Sequence, residues 1–156
     1  MGRIIRPAAP ARSRIKLLLA ALLPVLATVL IWTPQLSGNP EEVSPWFLAP
    51  LPVGAPIVAL VVNWCWPAVT NPARAAWTAL PQLATVVLLV WLDVWLDVRS
   101  GYLLKDSGEE AMSYGIGLTV AGIAGVTLVV LVGCAGRLGA RIGERDNPGR
   151  QRQDAG

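Results

Sequence analysis

Four apolar stretches, at residues 15–33, 53–69, 77–98 and 111–138, constrain this chain more than any other feature. A helix needs about 20 apolar residues to cross roughly 30 Å of hydrocarbon, and every stretch reaches or approaches that length. The expected fold is an all-α integral membrane protein with four transmembrane helices, multi-pass in a cell membrane. Residues 1–14 form a basic head, 15–138 the helical domain and 139–156 a basic tail. With 54% apolar and 15% charged residues, the composition is remote from that of a disordered chain or a cysteine-rich secreted module.

Each span carries its own irregularity. Pro24 is expected to kink the first, which lipid-embedded helices tolerate because neighbouring groups take up the freed carbonyl. The second is the shortest and ends in Asn63-Trp64-Cys65-Trp66-Pro67, so a re-entrant segment stands as the alternative to a full crossing. The third holds Pro81 near its expected start, where a missing donor costs little. The fourth is long enough to tilt.

Basic residues test the span count. Arg3, Arg6, Arg12, Arg14 and Lys16 lie before or at the start of the first span, Arg74 follows the second, and Arg137, Arg141, Arg145, Arg150 and Arg152 lie at or after the end of the fourth. Only Arg99 and Lys105 fall on the opposite side. Eleven of the thirteen basic residues then share one side, which places both termini in the cytoplasm. The same gathering at the ends directs the net charge of +3 to lipid headgroups rather than nucleic acid. The first stretch resembles a signal peptide in its basic start, but it is longer than a signal core and lacks a small-x-small cleavage site, so it is read as a retained span.

The chain has no histidine, which removes the usual general base and proton shuttle near neutral pH. It has no CxxC pair for zinc, and no Walker loop, HExxH motif or dinucleotide fingerprint. No catalytic activity, cofactor or metal is expected. Cys65 and Cys134 fall in different spans and are read as two buried thiols.

Two loops lie on the outer side. The first, residues 34–52, holds Pro34, Pro40, Pro45, Pro50 and Pro52. It is read as a rigid segment on the headgroups, with Trp46 and Phe47 as interface anchors or a docking surface for another subunit. In the second, Ser107 is placed to cap the fourth helix, with Glu109 and Glu110 favoured in its first turn by the helix dipole.

The only paired carboxylates near membrane depth are in Trp91-Leu92-Asp93-Val94-Trp95-Leu96-Asp97-Val98, a four-residue unit written twice. On a helix, Asp93 and Asp97 share one face and Trp91 and Trp95 the opposite one. If the span ends near residue 98, Asp93 lies roughly 8 Å inward and must meet protein, a partner or a wet cavity. If the helix leaves lipid near residue 92, both carboxylates are in water. Trp77, Trp91 and Trp95 fit an aromatic belt. Asn63 is expected to hydrogen-bond across helices, and Gly117, Ala121 and Gly125, with Gly139 and Gly143, to let another helix approach closely.

These features favour a non-catalytic structural or accessory subunit of a larger membrane complex, surrounded by lipid and by other integral membrane subunits. The Arg-rich ends and the Ala, Val and Gly content suggest a bacterial source. The alternative is a small homo-oligomeric proton or cation transporter or channel that uses Asp93 and Asp97.

Overall fold

The computed structural model describes residues 11–36, 50–103 and 108–146. Trp46 and most of the proline-rich loop, together with Lys105 and Ser107, lie outside the described residues. Helix α1 spans Ala11–Trp32 and is extended by a 3-10 turn at Thr33–Gln35, α2 spans Leu51–Cys65, α3 Pro72–Ser100 and α4 Gly108–Asp146.

Local chemistry sets the helix ends. Asn71 Oδ1 accepts the Arg74 backbone N–H at 2.8 Å, and Pro72 opens α3 with its φ already suited to a helix. The helix therefore starts upstream of Trp77, and Pro81 lies in its interior rather than near its start, leaving the Trp77 carbonyl without its helical donor. Gly101, at φ 85°, closes α3 in a left-handed conformation that side chains resist. Helix α2 stops at Cys65 because Pro67 disfavours a helical Trp66, which adopts φ −136° and ψ 80°. The stretch expected as 53–69 is thus a 15-residue helix, and Ala68 and Val69 belong to the connector. Helix α4 continues past residue 138 to Asp146, so the first part of the expected tail is helical.

The helices are apolar outside and small or polar inside. On α1, Leu18, Leu22, Leu26 and Leu30 face outward, while Ala20, Pro24, Thr28 and Trp32 are buried. On α2, Val53, Ile57 and Val61 face outward and Ala55, Ala59 and Asn63 inward. Water would expel such a surface, whereas lipid accepts it and rewards small residues where helices meet. Three helices, α1, α3 and α4, are long and apolar enough to cross a membrane, and α2 is a shorter apolar helix. The protein is an all-α, multi-pass membrane protein.

Helix α1 packs on α2 and α3, and α4 packs on the same two, so the order around the bundle is α1, α2, α4, α3. Thr28 meets Gln82 and Trp32 sits beside Val86, which makes α1 and α3 parallel neighbours. Leu51 lies near Leu128 and Trp64 bonds to Asp146, which makes α2 and α4 parallel as well. The starts of α1 and α3 and the ends of α2 and α4 therefore share one end of the bundle.

Helix α4 supplies the closest contacts. Gly139 lies against the Leu60 backbone and Gly143 against the Trp64 backbone, with no room for a Cβ at either position. Gly117 packs on Val90 and Val94, and Gly125 on Leu83, while Ala121 is buried in the core between them. The small residues of α4 thus seat α3 and α2 of the same chain. Cys65 and Cys134 are free thiols, but both are exposed on the outer surface instead of buried, because the inward positions nearby are taken by Asn63, Val132 and Gly136.

Candidate functional site

Helix α3 outreaches its neighbour. Trp32, the last residue of α1, shares a cavity wall with Val86, and α3 continues roughly 20 Å beyond that level to Ser100. At 100° per residue, Asp93 and Asp97 fall within about 20° of Val86 around the helix. They extend the stripe that faces the bundle interior, at heights beyond the end of α1.

Both aspartates are half-buried, and neither has an ion-pair or side-chain hydrogen-bond partner among the described residues. Arg99 does not neutralise them. Its guanidinium stands over the Trp95 ring, 5.0 Å from the centroid, a contact worth about 0.5–1 kcal/mol at an exposed site. The Asp97 carbonyl accepts the backbone N–H of Tyr102 at 3.0 Å and the Ser100 hydroxyl at 3.0 Å, which closes α3 one turn after the second carboxylate.

The tryptophans occupy the opposite face. Trp77 is 75% exposed and Trp91 47% exposed, and Trp77 and Trp95 are separated by about 27 Å along the helix axis. That separation matches the hydrocarbon thickness of a bilayer, as expected of an aromatic belt. Asp93 then lies at the depth of Trp91 and Trp95.

Asn63 is buried, but it does not bond across helices as its position suggested. Its Nδ2 donates to the Ala59 carbonyl at 2.9 Å, and its Oδ1 accepts the Val69 N–H at 3.3 Å. The amide binds the turn after α2 back onto the helix, and Gly136 of α4 packs flat against it. No group of three or more metal-ligating side chains occurs among the described residues.

One polar cluster escaped the sequence reading. Thr28 of α1 and Gln82 of α3 are fully buried at mid-bundle beside Pro24. Thr28 Oγ1 lies 3.1 Å from the Pro24 carbonyl and 2.8 Å from Gln82 Oε1, yet one hydroxyl proton serves only one acceptor. Gln82 Nε2 has no partner in this orientation. Turning the amide over lets one Nε2–H donate to Thr28 Oγ1 while the hydroxyl donates to Pro24, which resolves the shared proton and gives both side chains a partner. The available signal was a lone glutamine inside an apolar run, one helical turn from Thr78 and Thr85. Both of those threonines return their protons to their own helix, Thr78 to Arg74 and Thr85 to Pro81.

Replacing Thr28 with valine is expected to cost about 1–2 kcal/mol by stranding the Gln82 amide, and adding Gln82→Leu should recover most of it. Reversible unfolding in mixed micelles across the double-mutant cycle measures this. Additive losses would show that the two side chains do not interact.

No family model, curated protein or solved structure matches this chain.

Proposed function

We propose that the chain is a non-catalytic, membrane-embedded accessory subunit that crosses the bilayer four times with both ends in the cytoplasm. The observation that carries this reading is the acidic stripe of Asp93 and Asp97, which continues the interior face of α3 past the end of α1 and has no partner among the described residues. A carboxylate near membrane depth is costly without compensation, so a basic or polar group on another membrane subunit is the fitting complement. The alternating helix directions and the gathering of eleven basic residues toward one side support the topology. Helix α2 is about 22 Å long and crosses with help from its flanking segments.

Purification of tagged protein at native abundance in a mild detergent, followed by native mass measurement, tests the proposal. A stoichiometric membrane partner is expected, and Asp93→Asn with Asp97→Asn should release most of it without altering the chain's own fold. A pure oligomer of this chain whose cation flux in proteoliposomes disappears in the same variant would replace the subunit reading with the transporter one.

A further inference from the structure

On the outward side of α4, opposite buried Val132 and Gly136, one row of residues runs through Val126, Val130 and Cys134, all exposed, into Arg137 and Arg141. The neighbouring helix fixes its depth. A Cβ at Gly133 would lie 3.7 Å from the Ala75 carbonyl oxygen, so Gly133 stands level with Ala75, two residues from Trp77 of the aromatic belt. Arg137 and Arg141 are then roughly 9 and 15 Å beyond Trp77 along the axis. Side chains lean toward the N-terminus of their helix, which for α4 at this end means back toward the bilayer, and that brings both guanidiniums to the headgroup layer. Neither arginine has an ion pair or a side-chain hydrogen bond among the described residues. Asp146 is held on the α2 side by the Trp64 indole at 3.1 Å, and Glu144 lies about one turn further from the bilayer. Arg145 is in the last turn of α4, where the helix dipole accounts for a cation, but Arg137 and Arg141 are too far from that end for the same account.

We propose that Arg137 and Arg141 bind the phosphate of an anionic phospholipid whose acyl chain lies along Val126, Val130 and Cys134. A guanidinium fork matches phosphate oxygens two at a time, and the two arginines stand one turn, about 6 Å, apart on one face, so a single headgroup can touch both. The apolar row above them accepts a hydrocarbon chain in the orientation a bilayer imposes. A zwitterionic headgroup fits less well, because its own cation is brought against two more. The site needs α4 to cross the bilayer, and it is independent of the subunit proposal and of which side this end faces.

The full chain in dodecyl maltoside, titrated with palmitoyl-oleoyl phosphatidylglycerol or with the matching phosphatidylcholine, gives the number and affinity of bound lipids by native mass measurement. A basic residue at a lipid surface is worth about a fivefold preference for anionic lipid, so the pair should bind phosphatidylglycerol about 25-fold more tightly. Arg137→Gln and Arg141→Gln should each lower the preference about fivefold, and together they should remove it. Arg74→Gln is the control. Arg74 is exposed at a similar depth, but it lies about 100° around α3 from Ala75, which faces α4, and its loss should leave the preference in place. Glycerol phosphate, the headgroup without its chains, should not displace the lipid at equal concentration. The proposal is overturned if the two lipids bind alike, if the double variant keeps the preference, if Arg74→Gln lowers it as much as Arg141→Gln, or if glycerol phosphate displaces the lipid, which would assign the arginines to a soluble anion.

Discussion

Gly139→Ala is expected to destabilise the bundle by about 2 kcal/mol, although alanine is the better helix former by about 1 kcal/mol. A Cβ at this position would enter the space of the Leu60 carbonyl on α2, and that atom belongs to backbone rather than to a side chain that can swing away. Relief requires moving α2 bodily off α4. Gly143→Ala meets the Trp64 carbonyl in the same way, so the double variant should lose the α2–α4 contact altogether. Gly122→Ala is the control, because its added Cβ meets nothing within 4 Å, and it should be neutral or stabilise slightly. Unfolding midpoints in mixed micelles measure all four. If Gly139→Ala behaves like Gly122→Ala, the two backbones are not in contact.

Asn63→Ala should cost about 2 kcal/mol, again measured by unfolding in mixed micelles, for a different reason. The side chain satisfies the buried Val69 N–H and returns its own proton to Ala59, so truncation leaves a backbone donor without a partner under the bundle. Val69 and Ala68 pack with Ala20 and Ala75, which means the loss should spread to the base of α1 and α3. Amide exchange at Val69 provides a readout that separates this from general loosening. Exchange there should rise far more than in the middle of α3, and unchanged protection at Val69 would sink the explanation.

Much of the architecture was legible because lipid simplifies the reading. A run of apolar residues long enough to span hydrocarbon has few options, and α1, α3 and α4 follow from that alone. The boundaries were harder, and the errors trace to proline and asparagine. Asn71-Pro72 is a helix-start signal, but the apolar pattern begins only at Ala75-Ala76-Trp77, so hydrophobicity outvoted capping. Pro67 likewise forbade the extension of α2 to Val69. The shared face of Asp93 and Asp97 followed from spacing. Their position beyond the end of α1 did not, since it depends on the register between two helices.

The sequence by itself determined which segments are helices, which face of each carries leucine and valine and which carries glycine, alanine and threonine, and which carboxylates fall together. Those are consequences of a 3.6-residue period and of the cost of bare polar groups in lipid. Only the tertiary structure decided that α1 lies beside α3 and α4 beside α2, that Thr28 meets Gln82, that Gly139 rests on Leu60, and that a cavity opens beneath Trp32. Lipid gives little hydrophobic preference for one helix neighbour over another, so partners are chosen by how closely two backbones can approach. That fit is a property of pairs of surfaces far apart in the chain, which no local pattern records.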